Sequence, residues 1–198
     1  MTGPDEPLPR PLEWRDVREW RKRARESLIS RRLALDGALR KSQGEQALQR
    51  LLERVELSRY STLGVYWPVR GEIDVRGLAT EHLRRGGRVA LPVVISKAAP
   101  VEFWSWAPGM PMQRDLYGIP VPKEREAVIP DALLVPLVGF DPQRYRLGYG
   151  AGYYDRTLAA ATRRPFCIGL GYQAAQLDSI FPQPHDIAMD VIVTDSGP

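Results

Sequence analysis

Ten consecutive residues carry the most chemistry in this chain: Arg146-Leu147-Gly148-Tyr149-Gly150-Ala151-Gly152-Tyr153-Tyr154-Asp155. They lie between an apolar run that reads as a strand and a segment that reads as a helix. Alternate glycines let the backbone approach a ligand closely and turn its N–H groups inward. The helix that follows adds the positive end of its dipole. In physical terms this is a phosphate cradle. It is not a Walker A loop, because no Gly-Lys-Ser/Thr follows. Nor is it the dinucleotide fingerprint, because Tyr153 stands where the third glycine belongs. A glycine-rich turn with packing aromatics is the plain alternative. Arg146 and Asp155 weigh against it: the arginine suits a polyphosphate, and a carboxylate at a helix start suits a magnesium ion.

A second constellation is Tyr66-Trp67-Pro68-Val69-Arg70-Gly71-Glu72-Ile73-Asp74. It follows the first strand-like run, where α/β folds place ligands. Trp67 offers an aromatic wall, and Glu72 a carboxylate for a ring N–H or amino group. A loop with a buried Trp and a helix-capping Asp74 is the plainer account. The third is Pro184-His185-Asp186-Ile187-Ala188-Met189-Asp190, where Asp186 and Asp190 precede the last strand and could supply a further magnesium contact. His185 has no serine or cysteine partner at motif spacing, so a supporting role is expected of it. Cys167, the single cysteine, sits in an apolar run and is expected to be buried and inert.

The elements that must position these groups follow from periodicity. Residues 1–11, with Pro4, Pro7, Pro9 and Pro11, read as a disordered leader before a single domain spanning 12–198. Trp14, Val17, Ala24, Leu28 and Leu35 predict a long amphipathic helix whose opposite face carries Arg21, Lys22, Arg25 and Arg32. A second helix is predicted from Ala47, Leu48, Leu51, Leu52 and Val55, opening near Ser42–Gly44. Thr62 to Tyr66 reads as a buried strand. Val75 to Leu83 reads as a helix closed by Gly86-Gly87, and Arg88 to Leu91 as a strand stopped by Pro92. Val101 to Trp106 alternates like an exposed strand. Ala132 to Val135, Phe166 to Leu170 and Val191 to Val193 are apolar strands, and Asp155 to Ala161 is a helix. Strands alternating with helices argue for an α/β domain with a mostly parallel sheet covered on both faces.

Composition narrows the function. One cysteine excludes an intramolecular disulfide framework and a multi-cysteine zinc site. No uncharged apolar run is long enough to span a bilayer, and the N-terminus lacks an apolar signal core, so a cytoplasmic protein is expected. The net charge of +4 is unevenly spread: residues 10–54 hold thirteen basic and seven acidic side chains, whereas 55–198 hold fifteen of each. A basic segment before a neutral body suggests an anionic partner, phosphate or nucleic acid, with a solvated helix face as the alternative.

Taken in order, these pieces resemble the 5-formyltetrahydrofolate cyclo-ligase family, also called methenyltetrahydrofolate synthetases. The resemblance is carried by Arg21 to Arg32, Tyr66-Trp67-Pro68 with Gly71-Glu72-Ile73, and Leu91-Pro92-Val93-Val94. It continues through Tyr117-Gly118-Ile119-Pro120, Val135-Pro136-Leu137-Val138-Gly139-Phe140-Asp141, Arg146 to Asp155, and His185-Asp186, from about Trp20 to Thr194. It implies a three-layer α/β/α sandwich with a mostly parallel sheet, related to sugar-phosphate isomerases and coenzyme A transferases. It implies the magnesium-dependent reaction of 5-formyltetrahydrofolate with ATP to give 5,10-methenyltetrahydrofolate, ADP and phosphate. By the same resemblance ATP would be held by Arg21, Lys22, Arg23, Ala24 and Arg25 together with Arg146, Leu147, Gly148, Tyr149, Gly150, Ala151, Gly152, Tyr153 and Tyr154. Folate, with one or several glutamates, would be held by Trp67, Glu72 and Tyr149 to Tyr153. Asp155 and Asp186 would hold magnesium, and Arg146, Tyr153 and Asp155 would be catalytic. Three positions depart from the family pattern. Ala151 stands where some members have lysine, Arg21 where lysine is common, and Val121 where an acidic or amide residue is frequent.

The implied chemistry is self-consistent. A formamide oxygen is a poor leaving group. Moving the γ-phosphoryl group onto it gives an imidate phosphate, which N10 of the folate attacks as the ring closes and phosphate departs. Such a site needs positioning and charge stabilisation more than a covalent nucleophile. Two alternatives remain at this level: a paralogue using the same ATP site on another substrate, and a nucleic-acid binder acting through residues 10–54. No known nucleic-acid module is present, so nucleic acid is not the expected partner, and neither is a membrane; a monomer is expected.

Overall fold

The computed structural model describes residues 13–197, so the leader expected over residues 1–11 lies outside the described residues. In chain order the elements are α1 (Trp14–Ala34), α2 (Gly37–Arg54), β1 (Thr62–Gly64), α3 (Arg76–Arg84), β2 (Arg88–Val93), β3 (Glu102–Ser105), β4 (Met112–Arg114) and β5 (Pro120–Pro122). There follow β6 (Ala127–Val128), β7 (Ala132–Pro136), β8 (Gly139–Phe140), β9 (Arg146–Leu147), α4 (Tyr153–Ala160), β10 (Phe166–Gly171) and β11 (Val191–Thr194). The main sheet has the order β11-β10-β7-β1-β2-β3-β6. Its first five strands are parallel, and β3 and β6 are antiparallel additions at one edge.

The period of two along each strand sorts the core into two layers. Leu63, Val89, Leu91, Leu134, Ile168, Leu170 and Val193 pack with Ala47 and Leu51 of α2 and Ala79 of α3. Ala90, Leu133, Val135 and Cys167 face the other way, against Phe103, Met189 and Leu158 of α4. Each fully buried Leu or Ile side chain contributes about 1.5–3 kcal/mol. Gly64 belongs to the second face: a Cβ there would lie 2.4 Å from the Leu133 side chain and 3.1 Å from Phe103. The result is a mostly parallel sheet between helical layers, the expected α/β/α arrangement. Helix α1 lies instead beside the carboxyl ends of the strands, where Leu28 joins Val138, Leu147 and Ile180.

Four local expectations need correction. The second helix begins at Gly37, not near Ser42–Gly44. The signal overlooked is Asp36, whose carboxylate accepts hydrogen bonds from the Ala38 and Leu39 amides at 2.8 and 3.2 Å. Pro92 does not stop its strand, because β2 runs to Val93. The Ala90 carbonyl accepts from the Val65 amide, so residues 90 and 92 present their backbone toward β1; β1 ends at Gly64, and the missing N–H costs no ladder bond. The strand at 101–106 is not exposed. Phe103 packs in the α4-side core, and Trp104 is covered on its other side by Val93 and Val121, the latter from the β4–β5 hairpin. Helix α4 starts at Tyr153, two residues earlier than expected.

Topology marks the place for a ligand. From β1 the chain moves to β2 on one side, and later returns to β7 on the other. The crevice beyond the carboxyl ends of β1 and β7 is therefore a switch point, where open α/β sheets bind ligands. The loop after β1 carries Trp67 to Asp74, and the chain after β7 leads through β8 and β9 into the glycine block.

Candidate active site

Helix α1 supplies the cations, on a different face from the one expected. Its buried residues are Val17, Arg21, Leu28 and Arg32. Spacings of four, seven and four place them on one stripe, so two arginines share the inward face with the apolar residues. Arg21 is 5% and Arg32 is 7% exposed. Lys22 and Arg23 lie on the exposed side, and Ala24 packs beside Leu28 and Val138. A binary pattern reads arginine as polar and so assigns it to the outside. A guanidinium ringed by backbone carbonyls can go inside.

Arg21 donates from Nε to the Ile180 carbonyl at 2.9 Å and from a terminal nitrogen to the Phe181 carbonyl at 2.9 Å. It also forms an ion pair with Asp186 at 2.5 Å. Burial opposes ionisation of Asp186. The Arg21 hydrogen bond and the Gln183 amide outweigh that and hold its carboxyl below the usual range. One turn on, Arg25 donates from Nε to the Gly148 carbonyl at 2.7 Å. Its guanidinium lies against Gly150, whose Cβ, if present, would sit 3.3 Å away. Burial and then the neighbouring charge of Arg21 lower the Arg25 pKa, and only Asp186 counters them. Two cations with one shared carboxylate leave an excess of positive charge beside the glycine block.

The block itself forms the turn that its sequence demands. Gly150 and Gly152 have φ of 97° and 66°, left-handed values that suit glycine, and Gly152 leads directly into α4. Arg146 and Leu147 are buried; Leu147 joins the small core under α1. Arg146 pairs with Asp155 at 3.0 Å, donates to the Ile187 carbonyl at 3.2 Å and lies over the Tyr154 ring at 5.7 Å. Tyr154 is thus packing beneath the arginine, and burial pushes its hydroxyl pKa well up. Asp155 also accepts from the Ile187 amide at 3.1 Å. Asp155 is thereby tied to the segment that carries Asp186, through the amide of the residue that follows it. Tyr153 faces outward: its hydroxyl bonds that of Tyr117 at 2.7 Å, and Arg156 lies over its ring. Ala151 is exposed, and its carbonyl accepts from Arg156.

Across the crevice, Glu72 is half-buried. It accepts from the Val69 amide at 2.9 Å and from the Tyr149 hydroxyl at 2.7 Å. Arg70 and Gly71, with φ of 48° and 74°, make the sharp turn that places it. Burial pushes the Glu72 carboxyl up, against those two hydrogen bonds and the charges of Arg32 and Arg70. Trp67 stands edge-on to Trp106 at 6.1 Å, with the Arg76 guanidinium over its ring at 5.3 Å. His185 is exposed and edge-on to Trp14.

The structure thus gathers Arg21, Arg25, Arg146, Asp155 and Asp186 around the glycine block, and Glu72 meets the same block through the Tyr149 hydroxyl. Sequence reasoning had assigned no separate role to Arg32, Asp141 or Tyr117. Arg32 was legible in the helical phase of Arg21 and Arg25. Asp141 is buried and accepts from the Gln143, Tyr145 and Ile180 amides, which pins the turn between β8 and β9. Nothing short of the fold could place Tyr117, from the β4–β5 turn, against Tyr153.

The donor set suits a hard cation. Magnesium is commonly held by one or two carboxylates together with substrate phosphates and water, and Asp155 and Asp186 are two carboxylates on segments bonded to each other. Each now neutralises an arginine, and each would share its charge with the ion. Among the described residues, no group of three or more His, Cys, Asp or Glu side chains could enclose a metal without a substrate's help. None of the described helices is long and apolar enough to cross a membrane.

Comparison with known proteins identifies the family. The model of the 5-formyltetrahydrofolate cyclo-ligase family matches residues 17–195. The 5-formyltetrahydrofolate cyclo-ligase of Haemophilus influenzae is 32% identical over 79% of this chain and 88% of its own. That of Mycolicibacterium smegmatis is 33% identical over 86% of this chain and 91% of its own. Among solved structures, the 5,10-methenyltetrahydrofolate synthetase of Aquifex aeolicus superposes with a TM-score of 0.77 at 28% identity, covering 89% of this chain and 90% of that one. The Mycoplasma pneumoniae synthetase gives 0.73 at 26% identity, covering 89% and 99%. With nearly its whole length matched in sequence and in fold, the chain belongs to the 5-formyltetrahydrofolate cyclo-ligase family.

Proposed function

We propose that this protein converts 5-formyltetrahydrofolate and ATP into 5,10-methenyltetrahydrofolate, ADP and phosphate. The observation that carries the reading is the convergence on the glycine block of two walls, one formed by Arg25 at the Gly148 carbonyl and the other by Glu72 at the Tyr149 hydroxyl. The first wall is cationic and takes a triphosphate; the second offers a carboxylate acceptor to the amino and N–H groups of a reduced pterin. Arg25 binds phosphate oxygens through its terminal N–H groups while Nε holds the Gly148 carbonyl. Arg146, fixed by Asp155 and the Ile187 carbonyl, orients the turn into α4. Magnesium would be held by Asp155 and Asp186, and when bound it supplies neutralisation of the charge moving between the β- and γ-phosphates. Tyr153, on the open side of the site, closes over the reacting groups. Trp67 supplies an aromatic wall. The folate carries one or several glutamates, and the enzyme acts as a monomer in the cytoplasm, built as one catalytic domain over 12–198. The turn of Arg21 and Arg32 into the protein, away from any outward basic stripe, weighs against a nucleic-acid binder.

The test is direct. The purified protein is incubated with 5-formyltetrahydrofolate, ATP and magnesium, and absorbance of the methenyl product is followed. Product formation that needs all three supports the reading. No product with this folate, alongside ATP hydrolysis on another formamide, would assign the site to a different substrate.

A further inference from the structure

A buried polar network in the crevice centres on Arg32. Its Nε donates to the Arg70 carbonyl at 2.9 Å, one terminal nitrogen to the Leu137 carbonyl at 3.0 Å, and the other to the Tyr149 hydroxyl at 2.8 Å. That hydroxyl in turn donates to Glu72 Oε1 at 2.7 Å. One guanidinium therefore ties together the loop after β1, the chain leaving β7 and the glycine block, with every contact well aligned for a charged donor. A face-filling role would need only bulk. Three distinct acceptors spent on a carbonyl of each strand-end segment and on one hydroxyl indicate orientation.

We propose that Arg32 and the Tyr149 hydroxyl form a relay that fixes the Glu72 carboxylate as a charged acceptor for the reduced pterin, making both of them positioning residues for folate. The proposal rests on the assignment of Glu72 to the pterin made above. Because Arg32 donates to the Tyr149 oxygen, the Tyr149 proton is directed onward to Glu72. Without that anchor the phenol is free to rotate and to accept instead of donate. The Arg70 guanidinium over the Tyr149 ring at 5.5 Å keeps the ring from leaving.

The pH dependence separates this from a structural role. Facing Glu72 are Arg32 from α1, Arg70 from its own loop, Tyr149 from the glycine block, Tyr66, Tyr154 from α4 and Tyr172 beyond β10; Arg40 of α2 lies against Gly71. Burial raises all four tyrosines above their ordinary value, which leaves Glu72 as the acidic group of this set that responds as pH falls. Its carboxyl is raised by burial and pulled back by the Tyr149 hydrogen bond. Removing the hydroxyl raises it further, so folate binding is lost at a higher pH.

Calorimetric titration of 5-formyltetrahydrofolate between pH 5 and 9 reads this. Tyr149→Phe is expected to weaken binding about tenfold at neutral pH and to move its acid limb upward. Arg32→Lys is expected to move the limb the same way, and Arg32→Met further. In the Glu72→Gln background the Tyr149 substitution no longer moves it. If Glu72→Gln leaves folate affinity unchanged, the pterin assignment itself fails. If Glu72→Gln weakens folate binding but Tyr149→Phe keeps wild-type affinity and pH limb, the assignment survives and the relay is refuted. Should Arg32 variants fail to fold, Tyr149→Phe alone decides.

Discussion

Replacing Arg25 by alanine tests the cationic wall most cleanly, because the structure fixes what is lost. The Nε bond to Gly148 disappears, worth about 1 kcal/mol as a single hydrogen bond. Repulsion between Arg25 and Arg21 disappears with it and offsets part of that loss. The free enzyme should therefore lose little: at about 2–4 °C per kcal/mol for a chain of this length, the melting temperature should fall by a few degrees at most. The nucleotide complex should suffer far more. Charge-assisted hydrogen bonds contribute about 1.5–3 kcal/mol each, so the KM for ATP should rise about ten- to hundredfold. The KM for folate should stay nearly constant. Thermal unfolding gives an independent reading. At ATP a hundredfold above its dissociation constant the wild type gains about 2.7 kcal/mol, and a variant bound ten- to hundredfold more weakly keeps only about 0.4–1.4 kcal/mol of that. Equal rises in both KM values, with the ATP-dependent shift in melting temperature intact, would refute the argument and make Arg25 a brace for the loop.

Three further outcomes follow from other residues. Asp155→Asn should lower turnover at least about hundredfold, since it would weaken the proposed magnesium contact and takes from Arg146 the carboxylate it pairs with; a folded variant with wild-type turnover at limiting magnesium would remove Asp155 from the metal. Gly150→Ala imposes a side chain at φ 97° and pushes against the Arg25 guanidinium at 3.3 Å, so ATP affinity should drop together with about 1–2 kcal/mol of stability, read by urea unfolding. Gly44→Ala acts in the opposite direction: it lies inside α2, and its new methyl would make ordinary contact with Ile73 at 3.7 Å, so stability should rise by about 0.5–1 kcal/mol without loss of turnover.

The sequence was informative where one force dominates. Uninterrupted apolar runs at Leu133 and Ile168, short and bounded by turn residues, read as strands buried on both faces, and the alternating glycines before Tyr153 read as a tight turn ahead of a helix. It misled where two forces compete. Arg21 and Arg32 carry charge, so hydropathy sends them outward, yet carbonyls supplied by residues more than a hundred positions away draw them in. Pro92 breaks strands in general but is harmless where a neighbouring strand has already ended. Glu72 was recognisable as a carboxylate past a strand end. Its hydroxyl partner 77 residues later was visible only once the fold had closed the crevice.

Helix α1 is fastened in an unusual way. Besides Val17 and Leu28, its inward stripe is two arginines, and with Arg25 they reach carbonyls of Ile180, Phe181, Gly148, Arg70 and Leu137. Apolar contact tolerates sliding; a fan of directional bonds does not. A small rotation of the helix would break several of them together, so it docks and releases as a unit. The sheet keeps its own cores without it. Amide hydrogen exchange should accordingly find in α1 a cooperative unit less protected than β7 and β10. The protein can thus lose its binding crevice by a sub-global opening while its sheet stays folded.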